Sequence, residues 1–468
     1  MRYITVDEMA RLGVSPTCTD HKIWVFKMVS DNGANMKAAW NKDGRWVACV
    51  DHTLELATLP VTYVQKSQEA SIPQGSVAEA FAHGHGIVGY LHVSPNAEYD
   101  FHAAQAAHGL PQTKVDQDVK TRWRTAHGMA AQLCYNKIAI LEMDKNPTYK
   151  KAGEVWGKNK ITMVMWDQLE ESAAVLDKAA EASQSLEGDK YPTSSLVVPM
   201  MFALMAASSP NEDVNFRNRA KDEFNDPLRN PVKVPHEDLN DKVQTAREKY
   251  HQALITRFSS DVPEDVNTFW FIASMLDPRF KKLTFKNDRM LTNPMRKQAN
   301  VWLKLEFEKN YKGKVAAKAP ESDAPDAPDA NPPVRPPEVL PWRIRPPEGR
   351  TPPAPHLKRR KTTTAGFFTD SDGDDSEEEE AETDELEAYL AVPQIKYKTE
   401  RDAMDWWLAH SKKFPSLAVM ARQYLGCPAS SAAVERLFSQ VGIAFAAKRK
   451  LREATTLEDI MFSHFNLP

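Results

Sequence analysis

The chain has 468 residues, 42% of them hydrophobic and 26% charged, enough for two or three domains with a sizeable core. Its net charge of −4 conceals a split: residues 370–385 hold eleven Asp or Glu and no Lys or Arg, so removing those eleven charges leaves +7 on the rest. That remainder is compatible with DNA contact but excludes the strong basic excess of a dedicated DNA coat protein.

Residues 5–12 read as a helix, and residues 22–31 as a buried strand, because Ile23, Trp24, Val25, Phe26, Met28 and Val29 are nearly continuous in apolar character. Asp31-Asn32-Gly33 is a turn signal, followed by a short predicted helix from Ala34 to Trp40 and a second strand from Trp46 to Val50. Strand, helix, strand fits an α/β sheet. Residues 53–312 are mostly helical in pattern. Trp166, Leu169, Ala173, Leu176 and Ala180 recur at helical spacing, Pro192 to Ser195 caps an apolar stretch from Leu196 to Met205, and Phe269 to Leu276 stops at Asp277-Pro278.

Residues 313–384 change character: proline crowds Pro320 to Pro355, Lys358-Arg359-Arg360-Lys361 follows, and then the acidic run. Such a composition buries no core and predicts a disordered linker with polyproline character early on. From Glu385 apolar stripes return at Met404/Trp407/Leu408, at Leu417/Met420/Ala421/Tyr424 and at Val434/Leu437/Phe438/Val441. Three stripes in so short a segment need a partner surface. Their aromatic and methionine content suits a large apolar interface between copies of the chain, through Trp407, Leu417, Met420, Tyr424, Leu437 and Phe438.

Cys18, Cys49, Cys134 and Cys427 lack paired spacing, which argues against a disulfide framework and for a reducing compartment. No Cys-x-x-Cys pair is present for a zinc finger of the usual kind. Met1 to Glu8 lacks the apolar core of a signal peptide, and no run of roughly eighteen apolar residues predicts a membrane span.

The ordered blocks resemble the hAT superfamily of DNA transposases from about Ile23 to Asn466. They are Val29 to Met36, Cys49-Val50-Asp51-His52, Thr121-Arg122-Trp123, Leu276 to Lys281, and the segment from Trp406 through Pro428-Ala429-Ser430-Ser431 and Glu435-Arg436-Leu437-Phe438-Ser439 to Asn466. The resemblance implies a ribonuclease H-like sheet interrupted by a long helical insertion, with three carboxylates on two divalent ions, Mg2+ or Mn2+, for phosphoryl transfer. By position Asp31 is the second carboxylate and Glu435 the third, both metal ligands if the site is active. Arg122 and Trp123 match a pair that supports a DNA end, the indole by stacking.

The departure lies near the N-terminus. Asp7 and Asp20 read as helix or loop, so the first strand with its Asp, and the family's BED-type zinc finger, are expected to be missing. Two carboxylates hold two adjacent cations poorly, so no cofactor is expected and chemistry is expected to be lost.

Each residue also has a plainer reading. Asp31 ends a strand as an Asx-turn residue. Glu435 is a first-turn helix glutamate with Arg436 facing solvent. Trp123 is core. Cys49 and His52, without a second pair, pack a turn rather than hold zinc, and the irregular spacing of His83, His85, His92, His102 and His108 argues against metal.

The fold expected is α/β plus α, in four parts. Residues 1–60 form an incomplete ribonuclease H-like core, 61–312 a helical insertion, 313–384 the linker, and 385–468 a dimerisation region completing the core. The expected function is that of a transposase-derived, nuclear protein that forms homodimers or higher oligomers and binds DNA weakly, with residues 358–361 as an import patch. The alternatives are an active cut-and-paste transposase whose start lies upstream, and a protein-interaction module without DNA binding.

Overall fold

The structure is a computed structural model that describes residues 27–31, 33–40, 46–62, 72–119, 122–151, 153–216, 232–260, 264–285, 288–313, 384–395 and 403–436. The expectations for residues 5–12, 22–26, the linker, the import patch and the stripe beyond Arg436 lie outside these residues. What is described is mostly helical with two small sheets.

The first sheet pairs β1 (Met28–Ser30) with β2 (Trp46–Ala48) in parallel, Met28 opposite Trp46 and Ser30 opposite Ala48. Parallel neighbours need a crossover, and α1 (Ala34–Trp40) lies within it. β2 is shorter than the sequence predicts. The chain leaves the sheet after Ala48, and Cys49, in extended backbone, caps α2 (Val50–Thr58).

The helical body follows. α3 (Val77–Val93) starts at Ser76, whose hydroxyl accepts from Glu79 N–H, and Ser94 caps α4 (Pro95–Ala107) in the same way. α5 (Trp123–Tyr135) and α6 (Lys137–Met143) lead through the short α7 (Val155–Lys158) to α8 (Met163–Leu186), a 24-residue helix. At 1.5 Å per residue α8 runs roughly 36 Å. It is the central pillar, touching α2, α3 and α5.

A 3-10 turn at Ser194–Leu196 feeds α9 (Val197–Ser208), in which Val197 to Ala206 are all buried. A helix apolar on every side has to sit inside the body, and α9 packs on α8, α10 (Asp241–Ile255) and α11 (Glu264–Met275). Between α9 and α10 the chain forms an antiparallel pair, β3 (Val214–Phe216) with β4 (Val232–Val234). α12 (Asn293–Asn310), with Thr292 as its cap, closes this part of the body against α11.

The C-terminal region contributes α13 (Glu385–Ala391), α14 (Ala403–His410) and α15 (Pro415–Leu425). Tyr389, Trp406, Trp407 and Phe414 form one aromatic cluster with ring centroids 5.0–6.4 Å apart. The cluster is bonded to the end of α11: Trp407 Nε1–H donates to Leu276 O at 2.7 Å, and Tyr389 O–H to Met275 O at 2.9 Å.

Residues 276–281 fasten this junction. The buried Asp277 carboxylate accepts from Ser195 Oγ at 2.8 Å and from the Arg279 guanidinium at 2.8 and 2.6 Å. Lys281 Nζ donates to the carbonyls of Tyr389, at 2.8 Å, and Val392, the last carbonyls of α13.

Trp407, Leu417, Met420 and Tyr424 of the expected dimer face are buried within one chain, Leu417 and Met420 completely, and Tyr424 stacks on Phe269 of α11 at 5.1 Å. The surface that these four residues cover is the chain's own helical body. Leu437 and Phe438 lie outside the described residues.

Candidate acidic site

Asp31 follows β1 into solvent, with Oδ1 accepting from Gly33 N–H at 3.3 Å, the geometry of an Asx turn. Beside it the turn from β2 to α2 is tightly bonded. Cys49 N–H donates to Ser30 O at 2.7 Å, and Cys49 Sγ accepts from His52 N–H at 3.5 Å.

The C-terminal stretch docks on this turn from almost four hundred residues away in sequence. Val50 N–H donates to Ala429 O at 3.0 Å, Ser431 N–H to Cys49 Sγ at 3.3 Å, and Ala429 N–H to Thr193 Oγ1 at 2.9 Å. Ser430 Oγ accepts from Ala432 N–H at 3.1 Å, ahead of a helix whose residues 432–436 are described. Glu435 is exposed there and accepts from Ser431 Oγ at 2.9 Å. The two adjacent serines thus act differently. Ser430 Oγ braces the turn into the helix, and Ser431, whose carbonyl accepts from Val434 and Glu435 N–H, starts it and joins Cys49 to Glu435.

The two carboxylates meet electrostatically at His52. Glu55, 3.5 Å from His52 Nδ1, holds the imidazole above its ordinary value, and the negative charges of Asp31 and Glu435 add to that effect. Two divalent ions would need more than this. Among the described residues no group of three His, Cys, Asp or Glu is placed to hold a metal ion.

On the far side of α2 is a second charged group. Asp51 Oδ1 accepts from Ser183 Oγ and faces Glu187, the residue that ends α8. Burial, then the Glu187 charge, pushes the Asp51 carboxyl up to about 7. Glu187 itself sits where the helix dipole disfavours a carboxylate, and it binds Arg124 Nη1. Arg436 completes the group: Nη2 donates to Glu187 O at 2.9 Å and lies 3.5 Å from Asp189 Oδ2. Arg436 is exposed, as its solvent-facing reading expects, yet its guanidinium reaches Glu187 and Asp189, and sequence reasoning passes over Asp51 and Glu187. The one signal was Asp51 itself, an acid in the first turn of an otherwise well-buried helix.

The remaining predicted residues fall as follows. Arg122 is exposed at the head of α5, whereas Trp123 is 5% exposed and belongs to the core. The indole packs in the core, the plainer of the two readings the sequence allows for it. Cys49 is buried, and its sulfur is taken up by the α2 cap and the Ser430–Ser431 contact. Among the histidines, His83 and His92 bond the Lys160 and Val115 carbonyls, and His85 bonds Asp118.

A family model described as "hAT family C-terminal dimerisation region" matches residues 385–467. The chain is also similar to the human protein named "Zinc finger BED domain-containing protein 4", 22% identical over 440 residues, which is 94% of this chain and 31% of that protein. The chain thus spans about a third of that relative's length. The hAT region begins with α13, and its described part holds the aromatic cluster, the Ser430-Ser431 cap and Glu435. Among the described residues no helix is long and apolar enough to cross a membrane.

Proposed function

We propose that this chain is a hAT transposase-derived protein that self-associates, binds DNA weakly in the nucleus, and does not by itself carry out phosphoryl transfer. The observation that carries the reading is the docking of residues 429–436 on the β2–α2 turn, which brings Glu435 to the turn that carries Cys49 and His52. A parallel strand pair whose acidic site is completed by a distant C-terminal helix suits an incomplete ribonuclease H-like core. Two carboxylates there leave two divalent ions short of a ligand, so ancestry is preserved better than chemistry.

Self-association rests on the hAT dimerisation region. DNA contact rests on exposed Arg122 and on the +7 carried outside residues 370–385. Sedimentation equilibrium of the full chain at micromolar concentration should give a dimer or larger particle, and a monomer at every concentration would remove that part of the proposal. A gel shift at low salt should show binding that fades with added salt. No binding would favour a protein-interaction module.

A second reading follows from the relative being about three times longer. A further carboxylate in a longer chain would complete the site. Metal-dependent nicking of DNA, abolished by Asp31→Asn, would establish that activity.

A further inference from the structure

The neighbours of the two site residues meet one helix end. Asp51, the residue before His52, and Arg436, the residue after Glu435, both reach the C-terminal end of α8. We propose that Arg436 is a positioning residue, and that with Glu187, Asp51 and Arg124 it forms a latch fixing Glu435 against His52. The inference rests on the reading of Asp31, His52 and Glu435 as one site.

Four elements meet in this latch. Arg436 comes from the docked helix, Glu187 from the end of α8, Asp51 from the first turn of α2 and Arg124 from the first turn of α5. Arg436 uses Nη2 for the Glu187 carbonyl at 2.9 Å and places Nη1 3.9 Å from the Glu187 carboxylate. A guanidinium is the cation suited to this place, because its rigid fork meets a carbonyl and a carboxylate at once. It also sits at the negative end of a long helix dipole. Arg124 holds the other oxygen of Glu187, so the carboxylate is gripped from two sides.

Opposite them Asp51 would repel Glu187 if fully charged. Its bond to Ser183 and the charge of Arg124 offset that repulsion. Within the described turn the helix carrying Glu435 is held at two points: at its start by Cys49 and at Arg436 by the latch.

Hydrogen–deuterium exchange of the full chain tests the latch without nucleic acid, metal or dimer formation. Arg436→Ala should lower the protection of amides 431–436 by about tenfold, the scale of one charge-assisted bond, with α8 unaffected. Arg436→Lys should recover only part of it. The second readout is the His52 titration followed by NMR. If the latch positions Glu435, Arg436→Ala shifts His52 downward, in the same direction as Glu435→Gln.

Unchanged protection together with an unmoved His52 would overturn the proposal. Should Arg436→Ala fail to fold, Glu187→Gln, which keeps the carbonyl acceptor, serves in its place, and the same two measurements decide. Failure of dimerisation or DNA binding would overturn the proposed function and leave this result standing.

Discussion

Leu417→Ala separates a core residue from an interface residue. Leu417 lies on α15 with 0% exposure, and α15 packs against α11, α13 and α14. Its backbone N–H is held by Glu385 Oε1 at 2.7 Å, so the helix start is fixed and cannot collapse into the space left by the lost carbons. Truncating a leucine in such a place costs about 2–5 kcal/mol, against a total of about 5–15 kcal/mol for a domain. At a urea m-value of about 2–3 kcal/mol/M, the midpoint falls by roughly 1–2 M. If Leu417 instead lay between subunits, the same energy would weaken the dimer by about 30-fold to several-thousand-fold. Urea denaturation at two protein concentrations and sedimentation equilibrium distinguish the cases. A large loss of midpoint with the dimer constant nearly unchanged is expected. An unchanged midpoint with a weakened dimer would refute the packing argument.

Lys281→Met removes a buried cation from two carbonyls at the end of α13 and should cost about 2–4 kcal/mol in urea denaturation, since both acceptors lose their partner. Leu408 is 76% exposed on the outer side of α14, so Leu408→Glu should leave stability within about 0.5 kcal/mol while lowering dimer affinity if the hAT region associates through that face; the two assays above report both quantities. The Asp51 carboxyl, raised in the folded chain from 3.8 to about 7, binds a proton that the unfolded chain releases earlier. Its contribution is therefore complete below about pH 4 and is lost as pH rises through 7, by about 1–2 kcal/mol after allowance for its partial exposure and its coupling to Glu187. His52, also raised, has the same sign. Comparing urea midpoints at pH 5 and 7.5 for the wild type and Asp51→Asn isolates the carboxyl, and equal slopes would exclude it. Lys281, pushed down to about 7 by burial and by Lys282, acts with the opposite sign above that range.

The elements that the sequence predicts best are those whose pattern is local. The Ala34 to Trp40 helix, the long stripe through Trp166 and Ala180, and the Pro199-containing apolar stretch all correspond to observed helices. The β2 boundary is less legible, because Val50 is as apolar as the strand before it. Only the Cys49 cap, with its sulfur accepting from His52 N–H, shows where the helix starts. The site is legible in its residue types and illegible in its partners. Nothing local to Arg436 points to Glu187, 249 positions earlier, and nothing local to Ser194 points to the Tyr424 carbonyl. Such pairings belong to tertiary packing, which a single periodic stripe cannot specify.

The same limit bears on the apolar stripes of the C-terminal region. An amphipathic stripe states that a helix must bury one side, but not against which molecule. Here the decision lies in the polar atoms within the apolar contact. Trp407 Nε1–H and Tyr389 O–H each require an acceptor once buried, and the free carbonyls at the end of α11, Met275 and Leu276, supply them. Lys281 then takes the carbonyls at the end of α13 in return. Two helix ends that would each leave unpaired carbonyls thus satisfy one another, with Asp277 and Arg279 bracing the turn between them. A subunit interface could bury the same rings, but it would have to rebuild these bonds from another copy. The intramolecular arrangement makes them with groups already in place. The inner surface of α13 to α15 is thus committed to the chain's own helical body.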